Sequence, residues 1–84
     1  MTRYRVSVVV RMREDLPEPQ GIALEKVLSR IGYQGISNIR VGKVLEMEVE
    51  AVDKEKVKDL MDDLSRTLFS NPVIEDYEII IEDL

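Results

Sequence analysis

The chain has 84 residues, a formal net charge of −5, 44% hydrophobic and 35% charged residues, and neither histidine nor cysteine. That length gives one domain, residues 1–84, with a core small enough to favour oligomerisation. The composition excludes disulfides, thiolate chemistry, most zinc sites and histidine-based catalysis, and an acidic chain without a basic–aromatic platform repels nucleic acid.

The start of the chain, Met1–Arg5, lacks an apolar signal core, and no apolar run approaches a membrane span, so a cytoplasmic protein is expected. Alternation over Arg3–Met12 predicts a first strand with Tyr4, Val6, Val8, Val10 and Met12 on one face. A connector stiffened by Pro17 and Pro19 follows. Pro19–Ile31 reads as a helix with Leu24, Val27, Leu28 and Ile31 as one buried stripe and Gly32 as its stop. A second helix spans Lys54–Phe69, capped by Asp53, with Val57, Leu60, Met61, Leu64 and Leu68 as its stripe. Asn71-Pro72 ends it, and Val73–Glu82 reads as the last strand.

Between the helices, Asn38–Ala51 alternates without a slip. As one strand it would span about 46 Å, against a diameter of about 30 Å for a compact domain of this size. Part of it would then need a second chain to pair with. A tight hairpin at Gly42-Lys43 would put Ile39 and Val41 on the same face as Glu46 and Glu48, so parity favours a long strand, bent or bulged at Gly42. A hairpin with an odd-residue loop is the alternative. The expected fold is α+β and ferredoxin-related: β-α-long bent β-α-β, or β-α-β-β-α-β, with two helices on one face of an antiparallel sheet that dimerisation completes.

Charge divides unevenly. Residues 1–43 hold 8 basic and 4 acidic side chains, and residues 44–84 hold 4 and 13. Basic outer positions on the first strand facing acidic ones on later strands account for this, with an acidic docking surface as the other reading. The carboxylates Asp62-Asp63 diverge around their helix and read as a solvated face. Gly42-Lys43 is followed by Val44 inside a strand, which is not a phosphate-loop context, so Gly42 reads as structural and Lys43 as structural or partner-facing. The helix start at Gln20-Gly21 offers backbone N–H groups to an anion or is simply a helix start. These features fit an interaction module and not a self-sufficient enzyme.

Three segments carry a resemblance across nearly the whole chain: Pro19-Gln20-Gly21, the run from Ile39-Arg40-Val41-Gly42-Lys43 to Glu50, and Asn71-Pro72-Val73-Ile74-Glu75-Asp76-Tyr77. Together they resemble the PurS-type small subunit of phosphoribosylformylglycinamidine synthase. The departure is Glu18, where that family usually has aspartate; this would weaken the helix cap slightly. The resemblance implies a non-catalytic subunit in purine biosynthesis that bridges a glutaminase and a large synthetase subunit and assists ammonia transfer. It implies no cofactor on this chain, with ATP and magnesium in the large subunit, and a homodimer or tetramer. Candidate subunit contacts are Gly21, Arg40, Gly42, Lys43, Glu75, Asp76 and Tyr77. A ferredoxin-like domain sensing an amino acid or nucleotide is the alternative; a small acylphosphatase-like enzyme finds Arg13 but no glycine-rich phosphate loop.

Overall fold

The computed structural model describes all 84 residues. Alternation in the first strand, β1 (Thr2–Met12), puts Tyr4, Val6, Val8 and Val10 on one face, and all four are buried. β1 is the central strand of a three-stranded sheet. It pairs antiparallel with β2 (Lys43–Ala51) on one side and with β3 (Glu75–Asp83) on the other. Helix α1 (Pro19–Arg30) links β1 to β2. Helix α2 (Lys54–Leu64) and a π-helical turn (Ser65–Phe69) link β2 to β3.

Register keeps the apolar faces together. Val8 lies opposite Leu45 and Ile79, Val6 opposite Met47 and Ile81, and Val10 opposite Lys43 and Tyr77. α2 lies across this face with Val57 and Met61 fully buried against it. Asp53 Oδ1 accepts from the Lys56 N–H at 2.9 Å and caps α2 as its sequence predicts. The helix continues through Phe69, but its last turn is π, closed by Ser70 N–H to the Ser65 carbonyl at 2.9 Å. Only seven hydrophobic side chains form the buried core. At about 1.5–3 kcal/mol per fully buried aliphatic side chain, such a core leaves little surplus over conformational entropy.

The outer face of the sheet carries no helix. Arg3, Arg5 and Arg11 on β1 run between Glu46, Glu48 and Glu50 on β2 and Asp76, Glu78 and Glu82 on β3. Arg3 pairs with Glu48, and Arg11 Nη1 lies 3.9 Å from Glu78. The unequal charge of the two halves of the sequence is this cross-strand matching. Exposed pairs of this kind contribute only about 0–1 kcal/mol each, so they set register more than stability.

Two expectations require correction. The alternation at Asn38–Ala51 is not one strand: β2 begins at Lys43. Asn38 takes a left-handed φ of 58°, a turn conformation, and residues 39–42 pair with no strand of their own chain. Period-two alternation marks an extended chain but not its neighbour, and the neighbour of residues 39–41 is the start of α1. No hairpin forms at Gly42-Lys43 either. A Cβ at Gly42 would sit 2.6 Å from the Val10 carbonyl, so glycine permits the close approach there.

The second correction concerns α1. Its stripe predicts burial on the sheet beside α2, yet α1 makes almost no contact with the sheet. Gly21 is its only buried residue; Val27 is 46% and Ile31 61% exposed. The molecule is therefore elongated, 53 × 27 × 15 Å, with a radius of gyration of 16.6 Å against about 12 Å for a compact chain of this length.

Met61→Ala is expected to cost about 2–5 kcal/mol in urea unfolding, because the side chain is 2% exposed at the helix–sheet seam. The Ser65 hydroxyl is fully buried and lacks a hydrogen-bond partner. Ser65→Ala is expected to leave stability unchanged or raise it by up to about 1–3 kcal/mol, read as a higher urea midpoint at fixed protein concentration.

Candidate functional site

The residues singled out by sequence gather mainly where the start of α1 meets the chain approaching β2. Glu18 is the N-cap of α1, with Pro19 at the first helical position. Its carboxylate is buried and accepts three backbone N–H groups. Oε1 takes Gly21 at 2.6 Å and Val41 at 2.8 Å, and Oε2 takes Gln20 at 2.9 Å. One side chain thus caps a helix and ties it to a segment 23 residues away. Glutamate thus serves as a cap here. The helix N-terminus is already filled by the chain's own carboxylate, so Gln20 and Gly21 do not offer a free anion site.

Other contacts reinforce the joint. A Cβ on Gly21 would collide with the Ile39 carbonyl, so only glycine lets these backbones touch. Arg40 Nη2 donates to the carbonyls of Arg13 at 2.9 Å and Leu16 at 2.8 Å, fastening the β1–α1 connector. Glu25 Oε1 on α1 accepts from the Asn38 N–H at 2.9 Å. At the far end, α1 closes with Gly32 N–H to Ser29 and Tyr33 N–H to Leu28, a Schellman motif with Gly32 at φ +102°. Carbonyl and carboxylate acceptors thus hold α1 at fixed orientation while its apolar side faces outward.

Gly42, Lys43 and Glu75 come together. With Gln20, Glu18 and the apolar Val10, Met12 and Val41, they line an open cleft of about 310 Å³. Gly21 and Arg40 sit behind it in the Glu18 clamp. Glu75 is also engaged within its own turn, where its Oε1 accepts the Asn71 N–H at 2.7 Å and Asn71 Oδ1 accepts from Val73 at 3.1 Å. The Asn71–Glu75 motif is therefore a self-locked turn.

Asp76 and Tyr77 lie apart from this cleft. Asp76 is on the outer sheet face opposite Arg11. Tyr77 lies on the core face and donates its hydroxyl to the Asp62 carboxylate, which pushes its pKa above the ordinary phenol value. Asp63 turns the other way, to Arg66 at 3.4 Å. The cleft offers one lysine, one amide and two carboxylates, of which Glu18 is already taken by backbone N–H groups.

Sequence reasoning missed two features of this region. Glu18 was visible only as an unusual cap, since glutamate is not among the preferred N-cap residues. The outward apolar face of α1 has no signal of its own, because a stripe reads the same whether its own chain or another covers it.

Comparison with known proteins places these features in context. The PurS family model, described as phosphoribosylformylglycinamidine (FGAM) synthase, matches residues 5–83. The phosphoribosylformylglycinamidine synthase subunit PurS of Mycobacterium leprae is 36% identical over 80 residues, covering 89% of this chain and 91% of that one. The PurS structure from B. subtilis superposes with a TM-score of 0.87 at 32% identity, covering 95% of this chain and 99% of its own. A chain of the PurLQS structure from Thermotoga maritima gives a TM-score of 0.87 at 31% identity, covering 96% and 99%.

The Glu18 clamp predicts a pH dependence. The Val41 N–H, the Gln20 and Gly21 N–H groups and the Arg40 charge hold its folded pKa below the ordinary carboxylate value, against burial, which raises it. A lowered folded pKa contributes stability that is complete above the unfolded value and lost as pH falls through the folded one. Glu18→Gln is expected to lower the urea midpoint near neutral pH and to flatten its fall on acidification. An unchanged midpoint at neutral pH would show that the clamp does not hold the fold together.

Proposed function

The chain belongs to the PurS family, the small subunits of phosphoribosylformylglycinamidine synthase, and on that premise we propose that it is the bridging, non-catalytic piece of its complex. It is a subunit of a glutamine-dependent ligase of purine biosynthesis. The observation that carries the bridging role is α1, an amphipathic helix locked in orientation but left uncovered. An apolar stripe with Leu24, Val27 and Ile31 exposed is unusual on a small monomer and is suited to burial against another chain.

The first occupant is a second copy. The open edge of β2 has an apolar border. Tyr77–Asp62 and Lys54–Asp83 put Lys54 and Asp62 of α2 over β3. At 100° per residue, Leu60 and Leu64 then lie on the β2 side, above the half-buried Leu45, Met47 and Val49. A second copy that extends the sheet from β2 and covers α1 would supply the apolar burial that a core of seven residues lacks.

The dimer then presents its cleft residues, Gly42, Lys43 and Glu75, to larger subunits. In this reading a glutaminase subunit releases ammonia and a synthetase subunit uses it with ATP and magnesium, and this chain holds no cofactor. Ammonia released to bulk water near neutral pH is mostly protonated and no longer nucleophilic. A bridge that keeps the two sites in register limits that loss. The amino-acid- or nucleotide-sensing and acylphosphatase-like alternatives gain no support from the family or from the cleft.

Mixing the chain with glutaminase and synthetase subunits is expected to restore glutamine-dependent turnover, while turnover with ammonium salts proceeds without it. The pair Val27→Asp and Ile31→Asp is expected to give a monomer by light scattering and at least a tenfold loss of glutamine-dependent turnover, with the ammonium-dependent rate unchanged. Equal glutamine-dependent rates with and without the chain would overturn the bridging role.

A further inference from the structure

The sheet has a second open edge of different character. Antiparallel ladders alternate hydrogen-bonded and non-hydrogen-bonded pairs. The Arg13 N–H bonds the Ile74 carbonyl at 2.8 Å, in register with the β1–β3 ladder. By that parity Asp76, Glu78, Ile80 and Glu82 exchange bonds with β1. The main-chain groups of Tyr77, Ile79, Ile81 and Asp83 point away from the sheet. β3 pairs with β1 alone, so this row has no strand beside it.

Proline, glycine and bulges, the usual ways of blunting such an edge, are absent from Glu75–Asp83. Carboxylates are present instead, on both faces. In the fully overlapped antiparallel pairing of two copies, centred on Ile79, Asp76 would face Glu82 and Glu75 would face Asp83, each twice. Like charges directly opposite are destabilising. The edge thus disfavours this pairing with its own copy. It also lacks counter-charge: the three arginines of β1 are shared among six carboxylates on the outer face.

We propose that the free edge of β3 docks an extended segment of a partner polypeptide with lysine or arginine at alternate positions, added as a fourth strand. Main-chain bonds to Tyr77, Ile79 and Ile81 provide the pairing, and Asp76, Glu78 and Glu82 select the cations. The residues between the cations turn to the opposite face of the added strand, beside the half-buried Tyr77, Ile79 and Ile81. The subunit reading above bears only on which polypeptide supplies the strand. The edge is tested with a free peptide and the subunit role by turnover, so the two can fail separately.

The full chain, isotope-labelled, is titrated with a peptide alternating lysine and valine and with its glutamate counterpart, and amide exchange is followed residue by residue. The lysine peptide is expected to slow exchange at Tyr77, Ile79 and Ile81 by at least tenfold. Asp76, Glu78 and Ile80 should change little, since their N–H groups already bond β1. Binding should weaken with salt, and Asp76→Asn with Glu82→Gln should abolish it while leaving the sheet's own amide protection intact. The proposal is overturned by absence of binding, by binding without protection at those three amides, by protection at Val44, Glu46 and Glu48 of the β2 edge, or by equal binding of the glutamate peptide.

Discussion

The placement of α1 depends on one carboxylate. Glu18 collects the N–H groups of Gln20, Gly21 and Val41 and so decides where α1 points. A buried ionised group is tolerable only when its lone pairs are filled, and backbone donors from two elements fill these. Without that joint, α1 would have no reason to stand off the sheet, because it has almost no packing there. Gly21 and Gly42 serve the same joint by removing side chains where backbones must touch. The helix is thus positioned by polar contacts so that its apolar contacts remain unspent.

The sheet follows a separate logic. β1 is central and basic on its outer face, and its two neighbours are acidic, so charge and hydrophobic pattern specify the same order and register. The two open edges differ in what borders them. β2 carries half-buried leucine, methionine and valine on its core face, and β3 carries tyrosine and isoleucine beside Lys54 and Asp62 of α2, while each has three carboxylates on its outer face.

Much of this was readable from residue order. The four inward residues of β1, the Asp53 cap, the Gly32 stop and the intact apolar face of Leu45–Ala51 come from periodicity and local chemistry, which do not depend on distant neighbours. Failure begins where the neighbour matters. Ile39–Val41 alternate like the strand that follows them, but their partner is the carboxylate cap of α1. The stripes of α1 and α2 look alike in sequence; only α2 finds its own sheet. The π turn at Ser65–Phe69 keeps helical spacing closely enough to pass for α. Of the seven candidate contacts, Gly42, Lys43 and Glu75 meet at one cleft and Gly21 and Arg40 at the clamp behind it. Tyr77 is occupied by Asp62, a contact between residues 15 apart that no local pattern announces.

The pairing of Tyr4 with Asp83 has a consequence for how the chain is made. β1, the centre of the sheet, leaves the ribosome before both of its partners, and β3 emerges only after β2 and both helices. Contacts between segments so far apart in sequence close long loops and form slowly. Until β3 emerges, Val6, Val8 and Val10 lack half of their cover, in a β-prone run that invites pairing with other nascent chains. Arg3, Arg5 and Arg11, spaced around that run, are positioned to act as its gatekeepers during this interval, before they become the positive column of a finished sheet.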